Sequence, residues 1–420
     1  MRILYLLAVY LTAPIISAVF LWRGIRDRSY WHNFSERFGF GARPAPHGIW
    51  LHAVSVGEVQ ACAPLVGALR RRHPQLPLTV TTFTPTGAAR ARALVGDLAS
   101  VRYVPYDLPG AVRRFLRRVE PQLAVIFETE LWPNLYRECR RRRVPLVLAS
   151  ARISERSLGR YRHLGALFRD AVSGAALVAA QGEGDAARFR ALGASADNTH
   201  VTGNLKFDFE LPEGLAERGR QLRSAMGRGR PVWVAGSTRE GEEAAVLEAQ
   251  RRVLATHPGA LVVIAPRHPA RCAEVAQQLT QAGVRFIRRS DGGVPDPGDD
   301  VPVLLLDTLG ELLDFYAAAD LAFVGGSLSP VGGHNLLEPA ALGLPVLTGP
   351  HNFNAPDVAQ LLIARGAATV VHNAGELGAA VSGLLADGAE RERIGALGRA
   401  SVEGSRGALG RLLELIEPLL

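Results

Sequence analysis

The chain has 420 residues and a formal net charge of +8, so it is long enough for two ordinary domains, and its basic surplus suits anionic lipid, an acidic substrate or nucleic acid. The composition disfavours nucleic acid, because the arginines are scattered and no basic stretch is interleaved with stacking aromatics. Three distant cysteines, Cys62, Cys139 and Cys272, show no metal-ligand spacing. They predict a reducing, cytosolic setting and no metal site.

The chain opens with an uncharged run from Ile3 to Trp22, which is long enough to span about 30 Å as a helix. Arginines such as Arg23 and Arg26 follow at once, which places the bulk of the protein on the cytoplasmic side of a membrane. We therefore predict that residues 1–22 form a membrane anchor that can be removed without abolishing activity. The alternative is a buried or interfacial helix interrupted by Pro14.

The first strand is predicted over Gly48–Ser55, followed by an amphipathic helix from Glu58 to Arg72. Glu58 then lies at the carboxyl end of a strand, where open parallel sheets bind ligands. A carboxylate there can take a proton from a hydroxyl nucleophile. The alternative is that Glu58 only complements the helix dipole.

A further strand, Leu123–Phe127, opens onto Glu128, Glu130 and Trp132. Two carboxylates beside an aromatic side chain indicate a binding role. Alternatively, Trp132 packs in the core and the two glutamates begin a helix.

Lys206 is the only lysine in the chain, and all other members of the 48 basic residues are arginine. It stands beside Gly203 and Asn204, where a compact ammonium acts as a point charge toward phosphate or carboxylate. The alternative is a chance residue on a surface loop. Lys206 also marks the end of the first half, so we predict α/β domains over 23–208 and 209–420.

The second half repeats the alternation of strands and helices, and its strands end in loops that are expected to share one edge of a sheet. One strand, Leu261–Ala265, leads into Pro266 and Arg267. Another, Val303–Leu306, leads to a corner formed by Leu309, Gly310 and Glu311, where backbone amides can meet a base or ribose. Ordinary turns are the alternative for each loop.

A glycine-rich stretch, LAFVGGSLSPVGGHNLLEPAALGLP, is predicted as strand, loop and helix, with the helix beginning near Asn335. Its glycines permit close backbone approach to a ligand, and the first helix amides favour a phosphate. Glu338, one turn further on, can accept hydrogen bonds from ribose hydroxyls. The alternative is an Asn-x-x-Glu capping box between Asn335 and Glu338.

Several motifs carry a family resemblance, and they are spread over the whole chain: HAVSVGEVQA, TTFTPTGAARA, FETELWPN, TGNLKFD, VAGSTREGEE, FVGGSLSPVGGHNLLEPAALGLPV and TGPHNFN. The sequence resembles the Kdo transferases of lipopolysaccharide synthesis. The resemblance implies an α/β protein of the GT-B class, in which two Rossmann-like domains surround a cleft. Its members move 3-deoxy-D-manno-octulosonic acid (Kdo) from CMP-Kdo to a lipid A precursor.

The resemblance also implies roles for individual residues. Glu58 matches the general base, and Glu128 and Lys206 match positions that stabilise the transition state, with Glu130 close enough to compete with Glu128. The positions that match CMP-binding loops are Pro266, Arg267, Leu309, Gly310, Glu311, Asn335, Leu336, Leu337 and Glu338.

The expected reaction inverts configuration and needs no metal or cofactor. The expected partners are CMP-Kdo, a lipid A precursor of the lipid IVA type and bacterial inner-membrane lipid, with the catalytic domains on the cytoplasmic side and no nucleic acid. Two other classes stay open: a GT-B enzyme that uses a UDP-sugar, such as a lipid-disaccharide synthase, and a non-catalytic, membrane-bound nucleotide-binding protein.

Overall fold

A computed structural model describes residues 2–128, 130–155, 158–159 and 165–420. The chain divides into two compact units, the first formed by residues 1–209 with 405–420 and the second by residues 210–404. The change of unit after residue 209 lies beside the boundary proposed from the sequence. Residues 405–420, which the sequence assigns to the second domain, pack instead with the first unit.

Within the described part of the first unit, seven strands form a parallel sheet in the order β3-β2-β1-β4-β5-β6-β7. The strands are β1 (Ile49–His52), β2 (Leu78–Thr82), β3 (Ser100–Tyr103), β4 (Leu123–Phe127), β5 (Leu146–Ala151), β6 (Leu177–Ala180) and β7 (Thr199–Val201). Most are fully buried, as expected for a parallel sheet covered by helices on both faces. The strand order reverses between β1 and β4, and such a reversal is where open α/β sheets bind ligands.

The helices of this unit follow their strands through short loops. They are α1 (Arg2–Arg26), α2 (Val56–Arg72), α3 (Pro85–Val95), α4 (Pro109–Val119), α5 (Pro133–Arg141), α6 (Gly165–Ser173) and α7 (Glu183–Leu192). The C-terminal helix, which becomes α16 in chain order (Ala408–Ile416), joins the core of this unit through buried side chains such as Leu412. Its start is fixed by Asp208, whose carboxylate accepts 2.6 Å hydrogen bonds from the amides of Gly407 and Leu409.

The second unit contains a parallel sheet whose described strands run in the order β10-β11-β9-β8-β12-β13-β14. The strands are β8 (Val232–Thr238), β9 (Leu261–Pro266), β10 (Phe286–Arg288), β11 (Val303–Leu305), β12 (Leu321–Val324), β13 (Val346–Thr348) and β14 (Ala368–Val370). The order reverses between β8 and β12, so the loops after these two strands flank the predicted ligand position.

The helices of the second unit cover both faces of its sheet. They are α8 (Leu215–Met226), α9 (Glu242–Thr256), α10 (Cys272–Gln281), α11 (Leu312–Ala318), α12 (Leu337–Ala341), α13 (Pro356–Ala364), α14 (Ala374–Ala386) and α15 (Gly388–Gly404). Buried aliphatic and aromatic side chains, among them Trp233 and Phe323, fill the layer between helices and strands. Both units therefore have the α/β architecture predicted from the alternating sequence pattern.

Helix α1 runs without interruption through Pro14 and is, among the described helices, the one long and apolar enough to cross a membrane. It is also attached to the first unit along one stripe. Ser17 and Phe20 are buried, and the Tyr5 hydroxyl donates a 2.7 Å hydrogen bond to Asp107. Most of the remaining surface is exposed and strongly apolar. The helix thus combines an apolar outer face with a docked inner face, which the uncharged run alone did not indicate.

Phe20 connects α1 to a buried arginine. The Arg37 guanidinium is fully buried and lies 4.5 Å from the Phe20 ring centroid and 4.3 Å from that of Tyr103. The same guanidinium lies 5.2 Å from the centroid of Phe83. Cation–π contacts of this kind partly replace the hydration that a buried guanidinium loses, although that burial still lowers the pKa of Arg37.

Replacing Phe20 by alanine is therefore expected to lower the free energy of unfolding by about 3 kcal/mol, since it leaves a cavity and uncovers the buried charge of Arg37. The control is Leu11→Ala on the exposed face of α1, which should leave stability nearly unchanged. Thermal or denaturant unfolding in detergent measures both. Equal stability of the two variants would show that α1 is not part of the folded unit, and residues 1–22 would then be removable as first predicted.

Candidate active site

Glu58 lies at the start of α2, directly after β1, at the reversal point of the first sheet. The helix begins two residues earlier than predicted, with Ser55 as its N-cap. The Glu58 carboxylate accepts two hydrogen bonds of 2.9 Å, from the amide of Val54 and from the Ser55 hydroxyl. In return, the Ser55 hydroxyl accepts a weaker 3.4 Å hydrogen bond from the Glu58 amide. These contacts fix the carboxylate in one orientation, as a capping box does.

The pKa of Glu58 is raised to about 7. Partial burial is the largest cause, and the negative charge of Glu128 adds to it, while the hydrogen bonds from Val54 and Ser55 act in the opposite direction. A raised pKa serves no purpose in a glutamate that only caps a helix. A general base works best when its pKa lies near the working pH, so this environment suits proton transfer.

Glu128 follows β4, the strand beside β1, and forms an ion pair with Lys206. The Lys206 ammonium lies 2.6 Å from a Glu128 carboxylate oxygen, and both side chains are largely buried. Glu128 adopts a left-handed backbone conformation with φ of 54°, a strained geometry that is common at functional sites. The lone lysine is therefore not a chance residue on an open loop: the structure brings it to the carboxyl edge of the sheet from 78 positions away.

The sequence left open whether Glu128 or Glu130 stabilises the transition state. In the structure these two carboxylates have different partners. The Trp132 indole donates a 2.6 Å hydrogen bond to Glu130, and the same ring packs edge-on against His52 and Phe83. Trp132 packs against the core, as the alternative held, but helix α5 begins at Pro133, so the two glutamates do not begin a helix. Glu130 is thus held by an aromatic side chain, whereas Glu128 faces the cation.

The predicted nucleotide loops of the second unit follow its strands. Pro266 ends β9, and Arg267 next to it is exposed. At the corner after β11, Leu309 is 81% exposed and Gly310 has φ of +90°, while Glu311 forms a 2.7 Å ion pair with Arg289 that helps to hold its pKa below the usual range. An exposed leucine in such a corner offers an apolar surface on which a base can stack.

The helix predicted near Asn335 begins later and is short. Helix α12 covers Leu337–Ala341, and Leu336 precedes it as the capping position. The Asn335 side-chain oxygen accepts a 3.1 Å hydrogen bond from the Leu337 amide, so Asn335 caps this turn from outside the helix. The helix therefore starts two residues after Asn335. The helix ends before the turn at Gly343 and comprises little more than one turn.

Glu242, at the start of α9, is a residue that sequence reasoning missed. It is buried, and one of its oxygens accepts 2.9 Å hydrogen bonds from the amides of Ser327 and Leu328. Its other oxygen accepts bonds of 2.6 Å from Gly326 and 2.9 Å from Arg239.

The glycine-rich loop therefore encloses a carboxylate that belongs to the protein. Added to Gly325, a Cβ would lie 2.7 Å from a Glu242 oxygen, which explains the glycine at this close approach. Gly325 and Gly326 thus bring the backbone close to this carboxylate, whereas the sequence predicted a close approach to a ligand. The only available sequence signal was the pair of glutamates after Gly241, which also fits simple complementation of the helix dipole.

Comparison with known proteins decides the family. The sequence model described as 3-deoxy-D-manno-octulosonic-acid transferase (kdotransferase) matches residues 32–209. A 3-deoxy-D-manno-octulosonic acid transferase of Haemophilus influenzae is 40% identical over all of this chain and 99% of its own length. The chain belongs to the Kdo transferase family. The protein of the same name from Bordetella pertussis is 43% identical, again over 100% of this chain and 99% of its own.

Solved structures agree on the fold of this Kdo transferase family member. UDP-GlcNAc 2-epimerase from Neisseria meningitidis, in complex with UDP-GlcNAc, superposes with a TM-score of 0.60 over 88% of this chain and 100% of its own. The identity of 14% restricts this likeness to the fold. It confirms two Rossmann-like domains of the GT-B type, as predicted from the sequence.

Proposed function

We propose that this Kdo transferase family member moves Kdo from CMP-Kdo to a lipid A precursor of the lipid IVA type in lipopolysaccharide synthesis, with Glu58 as the general base. The observation that carries the proposal is the position of Glu58: it lies at the reversal point of the first sheet with an oriented carboxylate and a pKa of about 7. Family membership supplies the donor and acceptor classes.

The proposed chemistry is a single displacement. Glu58 removes the proton from an acceptor hydroxyl, whose oxygen forms a bond to the anomeric carbon of the sugar acid. The bond from that carbon to the phosphate oxygen breaks on the opposite face, its electron pair leaves with CMP, and configuration inverts. Glu128 and Lys206 supply the fixed charges next to the reacting oxygen. No metal ion is part of the proposal, because the charges that develop are met by side chains and amides.

The nucleotide is proposed to bind the strand-end loops of the second unit. Pro266 and Arg267 follow β9, and the Leu309–Glu311 corner follows β11. Asn335 to Glu338 follow β12 and complete the set, with Glu338 toward the ribose hydroxyls. All of these loops lie at the carboxyl edge of one sheet, which supports a shared nucleotide site.

We also propose that α1 holds the protein on the cytoplasmic face of the bacterial inner membrane. Its uncharged run from Ile3 to Trp22 covers about 30 Å of helix at 1.5 Å per residue, and Arg23 and Arg26 occupy its last turn. Basic residues next to an apolar helix favour anionic lipid. A phosphorylated lipid acceptor would be presented at this same surface.

A donor panel tests the function. Purified protein in detergent is incubated with tetraacylated lipid A precursor and either CMP-Kdo or a set of UDP-sugars, and the lipid product is weighed by mass spectrometry. Addition of Kdo from CMP-Kdo alone is the expected result, and the number of additions counts the Kdo units. Transfer from a UDP-sugar alone would place the protein with the other GT-B enzymes, and nucleotide binding without any transfer would make it a binding protein.

A further inference from the structure

A group of basic side chains lies at the reversal point of the second sheet and has no role in the proposed transfer reaction. Arg239 follows β8, His268 follows β9 and His334 belongs to the loop after β12. Arg239 donates a hydrogen bond to the Nε2 atom of His268. The His334 ring lies over Gly326, where an added Cβ would be 2.8 Å from its Nε2 and 3.6 Å from the Arg239 side chain. The three side chains therefore converge from three different loops.

This group carries positive charge that the protein does not neutralise. Nearby, Arg271 forms ion pairs of 2.6 and 3.5 Å with Glu243 and Glu274, so its charge is balanced. Over the described residues, neither Arg239 nor Arg267 forms an ion pair with an acidic side chain. Burial, followed by the charges of Arg267 and Arg239, lowers the pKa of His334 to about 4, and the same causes lower the pKa of His268. The His334 ring is thus neutral at pH 7, and the side-chain charges at this edge that lack an acidic partner are those of Arg239 and Arg267.

Two buried polar atoms of the same loop lack a hydrogen-bond partner among the described residues: Nε2 of His334 and the hydroxyl oxygen of Ser329. Buried polar atoms are seldom left unpaired unless a ligand, ion or water satisfies them. The His334 atom lies near the Arg239 side chain, and this position indicates a polar guest with negative charge.

Three backbone amides of the glycine-rich loop, those of Gly326, Ser327 and Leu328, cannot serve that guest, because the Glu242 carboxylate already accepts their hydrogen bonds. In a conventional nucleotide loop such amides hold the phosphate. Here an internal anion occupies these three amides, which leaves the Arg239 side chain as a donor for an incoming anion at this position.

We propose that Arg239, together with His268 and His334, forms the subsite that binds the negative charge next to the scissile bond of the donor. This inference rests on the proposed function, in which the donor is a nucleoside monophosphate ester of a sugar acid. Two groups of that donor carry the required charge, the phosphate and the sugar carboxylate. Arg239 suits either, because its planar fork can donate two parallel hydrogen bonds to two oxygens.

The test compares calorimetric binding of cytidine, CMP and CMP-Kdo to the full-length wild type, Arg239→Gln and Arg393→Gln. The control Arg393 lies on α15, is exposed and pairs only with Glu390 among the described residues, so its replacement removes the same charge far along the chain. Arg239→Gln should weaken CMP or CMP-Kdo binding by about tenfold or more, the scale of a charge-assisted hydrogen bond, while cytidine binding stays unchanged. Arg393→Gln should bind all three ligands like the wild type.

The outcomes separate the sources of the charge. Weaker binding of CMP assigns the subsite to the phosphate, and weaker binding of CMP-Kdo with unchanged CMP assigns it to the sugar carboxylate. Unchanged affinity for both, or an equal loss for cytidine, overturns the proposal. A second variant, Arg239→Lys, retains the charge and should bind with intermediate affinity. Its melting temperature is measured to show that it is folded. If the wild type transfers no Kdo but Arg239→Gln still loses CMP affinity, the proposed function fails and the anion subsite stands.

Discussion

Replacing Glu58 by glutamine is expected to lower kcat for Kdo transfer by about 10² to 10⁴, the usual contribution of general-base catalysis. The amide has nearly the shape of the carboxylate but cannot accept the proton. Its oxygen can still accept the hydrogen bond from the Val54 amide, and its NH2 group can donate a weaker, uncharged hydrogen bond to the Ser55 hydroxyl. The free energy of unfolding should therefore fall by only about 0.5 to 1.5 kcal/mol, and donor affinity should barely change.

The matched control for this variant is Glu130→Gln. It makes the same chemical change at a neighbouring carboxylate that also has a raised pKa, but whose partner is the Trp132 indole. Its kcat is expected to stay within about tenfold of the wild type, since Glu130 does not lie at a helix start beside β1. Near-normal turnover in Glu58→Gln, combined with a large loss in Glu130→Gln, would transfer the role of base to Glu130.

Replacing Lys206 by methionine is expected to lower kcat by about 10² to 10³, because a fixed cation beside the reacting groups is lost. The change also leaves the Glu128 carboxylate without the ammonium that lies 2.6 Å from it. Since the charge of Glu128 raises the pKa of Glu58, removing its counter-charge should move the midpoint of the pH–rate profile upward. The measurement is the initial rate of transfer across a pH series with saturating donor.

Two companion variants give this prediction its controls. Lys206→Arg retains the charge in a larger, planar group and should recover part of the rate without the upward shift in pH midpoint. Glu128→Gln removes the charge that raises the pKa of Glu58, so its midpoint should move downward. A Lys206→Met enzyme with turnover within twofold of wild type and an unshifted midpoint would contradict the assigned role.

The sequence located the central strands well because a buried parallel strand is a short apolar run between turn residues. Leu123–Phe127 was predicted to the residue. It also placed Glu58 and Glu128 at strand ends, since residues that follow a buried strand occupy the carboxyl edge of the sheet. Their individual roles stay predictions.

The sequence failed where contacts join distant segments. Glu242 and Gly326 are 84 positions apart, and the glutamate pattern at the start of α9 gives no sign that its carboxylate enters the glycine-rich loop. The docking of α1 depends on Phe20 and Arg37, whose contact arises only when the helix folds back. The late start of α12 has a local cause, since Asn335 caps from outside the helix. Both long-range contacts couple elements that a periodicity pattern treats independently.

The most direct test of the account is the pH dependence of kcat/KM for transfer from CMP-Kdo to the lipid A precursor. An ordinary glutamate has a pKa of about 4.3, whereas burial and the charge of Glu128 raise the pKa of Glu58 to about 7. Because the base must be deprotonated, kcat/KM should be constant above this midpoint and fall about tenfold per pH unit below it. Glu58→Gln should lack this step. A wild-type profile that stays flat through pH 7, or a step that persists in Glu58→Gln, would contradict Glu58 as the base.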